Sequence, residues 1–219
     1  MAFEFANVTA DLNRDHITYS AATPVAGLGT CSIVARLAGD SDCPSYANAV
    51  TVTSPSNAND VALLREATGN NMAAAFRGSG SNSARVHFPF AFDGAMRSVV
   101  VTFDGSASPK IKAYVDGSGK TVTVAVPHGN STIGSGHTAT SVGGAFNARF
   151  NGRIAEAAIY NRVITPDEAA MHAAGYSCLH FQRGLIFYAP LIRDAQDIAG
   201  GLTPTITGTT IIDHPRIYA

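Results

Sequence analysis

Sixteen carboxylates, seven histidines and three cysteines are the groups with which this 219-residue chain could carry out acid–base, metal or nucleophilic chemistry. Hydrolysis of a glycosidic bond needs two carboxyl groups roughly 5 to 9 Å apart. On a strand, acids at i and i+2 or i+4 share a face and supply that geometry. No predicted strand offers it. Glu156 is the lone acid of segment 153–160, and Glu66 and Glu168 have no acidic partner at that spacing. The sequence therefore predicts that Glu156 is structural, at a strand edge and paired with Arg153 or Arg162.

The histidines, His16, His87, His128, His137, His172, His180 and His214, form neither His-x-His nor His-Glu-x-x-His. Cys178 and His180 are the one close thiol–imidazole pair. Zinc needs four ligands and a nucleophile needs an oriented base, so the pair alone supports neither, and structural roles are expected. Gly117-Ser118-Gly119-Lys120-Thr121 ends like a phosphate-binding loop. It lacks the first glycine, since Tyr114 stands there, and a strand follows where a helix N-terminus is required, so it reads as a hairpin turn. A sugar site would combine an aromatic platform with amide and charged side chains on loops. Tyr46, Asn48, Asn70, Asn71 and Arg77 are the candidates. Tryptophan, the best platform, is absent.

The elements that must position these groups are mostly strands. In segment 84–92, Val86, Phe88, Phe90 and Phe92 alternate with His87, Pro89 and Ala91, the period-two pattern of a core-facing strand. Pro89 places it at an edge, at a bulge or at a break. Segments 98–103, 109–116 and 121–126 follow at hairpin spacing and predict an antiparallel meander. Segments 31–37, 49–53, 61–65 and 72–77 add short strands, with turns at Gly39-Asp40, Pro55-Ser56-Asn57 and Gly69-Asn70-Asn71. Two more strands are expected over 184–191 and 202–212. A helix is marked near 166–174 by Thr165 as N-cap, Pro166 at N1, Glu168 completing a capping box and Gly175 as the stop. Ten or so strands with one short helix predict an all-β fold, a two-sheet antiparallel β-sandwich.

Composition narrows the class. One domain is expected from 219 residues, which bury enough surface to fold without staples. Fifteen basic against sixteen acidic residues leave a net charge of −1, which gives the polyphosphate attraction of a nucleic-acid binder nothing to act on. The charged fraction of 14% lies well below the usual quarter, so copies repel one another only weakly and assembly is favoured. An odd number of scattered cysteines, Cys31, Cys43 and Cys178, predicts reduced thiols and synthesis in a cytoplasm. Acidic and polar residues interrupt the first twenty positions, so no export signal is read there. No stretch of about twenty apolar residues is present, and no membrane partner is expected.

Three stretches together carry a resemblance. Segment 149–175 resembles the closing strand and helix of laminin-G-like, concanavalin A-like lectin/glucanase domains. Phe150, Gly152, Ile154, Glu156, Ile159, Tyr160, Asn161, Arg162, Thr165 and Glu168 match in place. Segment 99–117, with Tyr114-Val115-Asp116-Gly117, is similar to the family's hairpin, without the Trp that often precedes that strand. A motif that usually opens these domains, here Gly184, Leu185, Tyr188, Pro190, Leu191, Asp194, Asp197 and Gly200, comes at the end. That order, with the terminal run 213–218, resembles LamG-like proteins of bacteriophages and prophages.

The resemblance implies a concanavalin A-like jelly roll over residues 26–219, with residues 1–25 as an N-terminal strand or arm. The strands of 184–219 would complete the sandwich or exchange with a neighbour. It implies a non-enzymatic virion structural protein, a capsid decoration or a tail or fibre component. Such a protein would be made in the host cytoplasm, and its partners would be copies of itself and other virion proteins. A carbohydrate-binding module for host-surface glycans is the alternative, and a glycoside hydrolase, lacking an acid pair, is third. No cofactor is expected, except that calcium serves many relatives. Asp40 with Asp42, and Asp194 with Asp197, are the pairs that could hold it, although turn capping explains both.

Overall fold

In the computed structural model, the residues described are 2–5, 15–54, 61–67, 69–78, 83–126, 129, 131–145, 148–191 and 194–212. The early strands are β1 (Ala2–Phe5), β2 (His16–Tyr19), β3 (Thr30–Gly39), β4 (Asn48–Thr53), β5 (Val61–Arg65), β6 (Asn71–Arg77) and β7 (Ser83–Pro89). Next come β8 (Arg97–Asp104), β9 (Ile111–Val115), β10 (Ser118–Lys120), β11 (Thr123–Val126), β12 (Ala139–Val142), β13 (Gly144–Ala145), β14 (Ala148–Arg149) and β15 (Gly152–Tyr160). Helix α1 (Pro166–Ala173), a 3-10 turn (Cys178–Phe181), β16 (Leu185–Ala189), β17 (Pro204–Thr207) and β18 (Thr210–Ile212) close the chain.

The strands form two sheets, and every pairing between them is antiparallel except one bridge between β14 and β4. Sheet A runs β10-β9-β8-β3-β15-β1-β18, with β16 also on β15; sheet B runs β11-β7-β6-β5-β4-β12-β2-β17. Between them lies the core, where Phe5, Phe76, Phe88, Phe103, Phe150 and Phe187 are fully buried. Each such ring contributes about 2–3 kcal/mol by leaving water. The fold is thus the expected sandwich with one short helix. Its central strands β3 and β15 lose the polar alternation because α1 and the 3-10 turn cover the outer face of sheet A. A second apolar cluster there joins Val34, Val100, Tyr160, Ile164, Ala169 and Phe181.

The helix is capped as its sequence requires. Thr165 Oγ1 accepts from Glu168 N, and Glu168 Oε2 accepts from Thr165 N at 2.8 Å. Arg162 holds the same Glu168 with two N–H groups at 2.6 and 2.7 Å, so the Tyr-Asn-Arg segment and the cap form one clamp. Gly152 has a comparably local reason. At φ 142° it lies against β3 so closely that a Cβ would strike the Ala38 carbonyl.

Three expectations need correction. Segment 121–126 does not continue the meander: β8 and β9 pair, β10 completes a hairpin with β9, and β11 crosses to pair with β7 in sheet B. Segment 202–212 is two strands, because Gly208 at φ 74° turns the chain from β17 in sheet B to β18 in sheet A. The strand of 84–92 ends at Pro89, which pairs with Asn71; Phe90 and Phe92 still reach the core from the following loop. The termini add to the chain's own sheets: β1 lies between β15 and β18, β2 between β12 and β17, and β16 beside β15. The turn at Pro55-Ser56-Asn57, His128, His214 and the run 213–218 lie outside the described residues.

Candidate functional site

Two polar clusters stand out, one closed and one open. The closed one lies between sheet A and α1. His172 on the helix places Nε2 3.0 Å from Glu156 Oε2 on β15 and Nδ1 2.6 Å from Ser98 Oγ on β8. Cys178 N donates to Glu156 Oε1 at 2.8 Å, and Arg36, beside Glu156 on β3, donates to the His172 carbonyl. Among the described residues, Glu156, His172 and Cys178 are the one group of three whose ligand-type atoms approach within 4.8 Å. A Ser–His–Glu relay could in principle drive acyl chemistry. Here Glu156 and His172 have no solvent contact and Ser98 is 2% exposed, so no substrate reaches it.

Burial alone would raise the Glu156 carboxyl. The hydrogen bond and charge interaction with His172, the Cys178 N–H and Tyr188 outweigh it and hold the group below the usual glutamate range. Burial drives the Cys178 thiol well above its ordinary value, so it is inert. The expected partners of Glu156 are engaged elsewhere: Arg153 donates to the Gly94 carbonyl and Arg162 clamps Glu168. Glu156 is therefore a central, buried residue rather than an edge one. His180, instead of joining Cys178, packs edge-on against Tyr176 at 5.1 Å.

The open cluster sits where loops gather at one end of the sandwich. Backbone bonds tie the 40–47 loop to the end of β5, with Tyr46 N donating to Arg65 O and Arg65 N to Ala47 O. They tie Glu66 to Asn71 and Phe90 to Asn70 in the same way. Most of the sequence candidates therefore share this end: Asp40, Asp42, Tyr46, Asn48, Asn70 and Asn71. Arg77 does not. It closes the far end of β6, roughly 20 Å from Asn71 at about 3.3 Å per residue.

Tyr46 is the exposed aromatic of this end, 46% accessible and held at φ 62°. Arg85, on the outer face of β7, lays its guanidinium 5.6 Å from the Tyr46 ring centre and 3.4 Å from Glu66 Oε1. Glu66 is 5% exposed; Oε1 also accepts from Ala67 N at 2.8 Å, while its buried Oε2 has no partner. Arg85 Nε and His87 Nδ1, two residues apart on the same face of β7, are likewise buried and unpaired. Beneath lies a floor of small buried side chains, Ala62, Ala73 and Ala75, with Leu64. Arg65 is anchored instead, stacked 4.7 Å over Phe92. Arg85, His87 and Glu66 escaped the sequence reading as site residues. The signal was present in the outward positions of the alternating segment 84–92, but only sheet register brings Arg85 to Glu66. Beyond Asn70, a cleft of about 370 Å³ is lined by Phe90, Arg97, Asp116 and Lys120.

Hydrogen-bond donors already hold three of the four aspartates named as calcium candidates. Asp197 Oδ1 accepts from Tyr188 N, Ala199 N and Gly200 N, and Oδ2 from Leu202 N, so both its oxygens are engaged in ordering the loop. Asp194 caps its own turn through Gln196 N. Asp42 Oδ1 accepts from Asn151 Nδ2 at 2.7 Å, a donor where a cation would stand.

Two antiparallel sheets packed face to face, with one short helix, form a lectin-like sandwich. Residues 15–170 match the family described as concanavalin A-like lectin/glucanases superfamily, Laminin_G_3, and the chain belongs to it. No curated protein sequence is detectably similar. Among solved structures, a Bacteroides ovatus protein provisionally classed as carbohydrate-binding superposes with a TM-score of 0.65 at 16% identity, over 98% of this chain and 60% of that one. The heptameric SAP-like pentraxin of Limulus polyphemus gives 0.61 at 12% identity, over 94% and 95%. Domain 4 of the extracellular arabinanase AbnA from Geobacillus stearothermophilus, solved with arabinotriose, gives 0.56 at 14% identity, over 78% and 81%. At these identities the likeness is one of fold.

Proposed function

We propose that this chain is a non-enzymatic carbohydrate-binding domain whose site is centred on Tyr46, Glu66 and Arg85. The observation that carries the reading is the pairing of an exposed ring with buried polar atoms that have no partner. A buried carboxylate oxygen without a hydrogen bond costs about 1–3 kcal/mol, and once the part-exposed Arg85 side chain swings aside a sugar hydroxyl would satisfy it by donating to Glu66 Oε2. The same hydroxyl, or its neighbour, can accept from Arg85 Nε. A saccharide supplies adjacent groups that both donate and accept, and its apolar face suits the Tyr46 ring. The carbohydrate association of the similar folds supports the reading. The enclosure of the Ser98–His172–Glu156 relay supports the non-enzymatic part.

The test is a screen of immobilised glycans followed by titration calorimetry of the best binder. Tyr46→Ala and Glu66→Gln should each weaken binding at least tenfold, while Asp194→Ala, in a separate loop, leaves it unchanged. No bound glycan, or equal binding by the Tyr46 variant, would overturn the proposal. A second setting is compatible with the first: a multi-copy component of a virion. The order of motifs in the sequence favours it, with the Gly184 to Gly200 motif closing the chain rather than opening it. Regular occupancy in a map of a particle carrying the protein would establish that setting.

A further inference from the structure

Strand β7 leads from the Tyr46 cluster to a second concavity. Its residues Val86 and Phe88 are buried in the core, so Arg85, His87 and Pro89 stand in a row on the outer face of sheet B. At about 3.3 Å per residue that row is about 13 Å long. Arg85, at its first position, reaches both Glu66 and the Tyr46 ring. Pro89, at its last, lines the cleft of about 370 Å³ together with Asn70, Phe90, Asp116 and Lys120. A cleft of this size holds a small ligand.

The cleft is built where the two sheets end side by side. Pro89 pairs with Asn71 at the last rung of β6 and β7, and Phe90 N donates to Asn70 O at 3.0 Å, which fixes the turn that forms one wall. Asp116 and Lys120 belong to the β9–β10 hairpin of sheet A and form the other, with Asp116 held by the Ser98 N–H and by Arg97. Amide, carboxylate and ammonium groups thus surround an apolar base of Pro89 and Phe90, the mixture a saccharide requires. Midway along the row, His87 Nδ1 is buried without a hydrogen-bond partner. The His87 side chain is itself part-exposed, so a turn of its ring brings Nδ1 to a ligand hydroxyl.

We propose that the site is extended, with Tyr46, Glu66 and Arg85 holding one sugar, His87 the next, and the cleft at Asn70 and Phe90 a further one. Its ligand is then a linear oligosaccharide of three or more units, bound along the chain and not only at its tip. The inference rests on the reading of Tyr46, Glu66 and Arg85 as a saccharide site. A row of about 13 Å is longer than one sugar ring, and its polar groups recur at the start, the middle and the end. A chain already held at one point loses little further freedom in reaching the next, so affinity rises with length until the row is filled and then stops rising.

The test is titration calorimetry of the full chain with cello-, xylo-, manno- and chito-oligosaccharides of increasing length, from the single sugar upwards. In the series that binds, affinity should rise at least tenfold from the single sugar to the trisaccharide and level off soon after. His87→Ala and Asn70→Ala should each remove most of that rise and leave binding of the single sugar unchanged, whereas Tyr46→Ala should weaken every length. Ala91→Phe, which narrows the cleft, should end the rise at the disaccharide. These side chains are exposed or part-exposed, and unchanged melting temperatures confirm that the variants fold. Binding that is independent of length yet lost in Tyr46→Ala overturns the extended site and leaves the Tyr46-centred reading standing. A rise with length that survives both His87→Ala and Asn70→Ala also overturns it. If no series binds, the extended site fails, and if the glycan screen is empty as well, the reading beneath it fails too.

Discussion

Glu156 and His172, sixteen residues apart and on different elements, meet at 3.0 Å with neither side chain touching solvent. The contact fastens α1 to the sheet: Glu156 also accepts from Cys178 N, and Ser98 reaches the other ring nitrogen. Breaking a buried pair leaves one partner without compensation, whereas replacing both removes the demand. His172→Ala should therefore cost about 3–5 kcal/mol in urea unfolding, and Glu156→Gln should also destabilise. The His172→Leu, Glu156→Leu double variant should cost less than the sum of its two single changes. Additive costs would show that the two groups do not act as a pair.

The same pair sets an acid limit. The carboxyls of Glu156 and Glu168 are both held below the ordinary glutamate value, so each contributes stability above its unfolded value and loses it as pH falls through its folded one. For both, burial pushes the other way and is outweighed, by His172, Cys178 N–H and Tyr188 in one case and by Arg162 and Thr165 in the other. Since Glu168 caps α1 and Glu156 anchors it, the helix should be the first element to loosen below about pH 4. Hydrogen exchange of the amides of α1 should rise ahead of those of β3 and β15 as the pH is lowered. Uniform exchange across the chain would contradict this.

Local features were legible and distant ones were not. The capping box depends on residues three apart, and Thr165 and Glu168 announced it. The alternation in 84–92 announced a core-facing strand. What could not be read were contacts set by register. Glu156 looked like an edge residue because its nearest cations in sequence are Arg153 and Arg162, while His172 looked solitary on its helix. Tyr46 and Asn70 stand out by residue type and loop setting, and backbone bonds bring their loops to one end of the sandwich. Glu66 lacks an acidic partner at the spacing a glycosidase needs, and Arg85 has no motif of its own; nothing in the sequence says that β7 and the end of β5 meet. Glycine was legible as punctuation at Gly175, yet Gly208, inside an apolar run, hid a change of sheet.

Asp197 organises the C-terminal loop by accepting four backbone N–H groups, including that of Tyr188 on β16. Hydrogen bonds to a charged acceptor contribute about 1.5–3 kcal/mol each before overlap. Asp197→Ala should thus cost at least about 2 kcal/mol and expose the segment 194–203 to limited proteolysis. Addition of calcium should not change the melting temperature of the wild-type chain, since both Asp197 oxygens are already engaged by backbone N–H groups. A rise in melting temperature on adding calcium would point to ligands other than these.

Burial raises the thiols of Cys31, Cys43 and Cys178, Cys43 to about 11, so none is a thiolate at neutral pH. A thiol reagent at pH 8 should label none of the three in the native chain and all three in denaturant. Rapid labelling of one in native buffer would show that its surroundings open.

Tyr46 offers the sharpest separation of stability from function. A bulky aromatic at φ 62° occupies the left-handed region at a cost of about 1–2 kcal/mol, which a turn residue chosen for stability alone would avoid. Glycine adopts that backbone freely, but it adds unfolded-state entropy of a similar or smaller size. Tyr46→Gly should therefore leave the melting temperature unchanged or slightly raised, even though a ring and its contact with Arg85 are lost. Glycan binding should fall at least tenfold in the same variant, because the platform is gone and Arg85 loses the face that positions it over Glu66. A strained residue whose removal leaves stability intact and abolishes recognition is retained for recognition. If Tyr46→Gly instead lowers the melting temperature and spares binding, the ring is a packing residue and the site must lie elsewhere on this end of the sandwich.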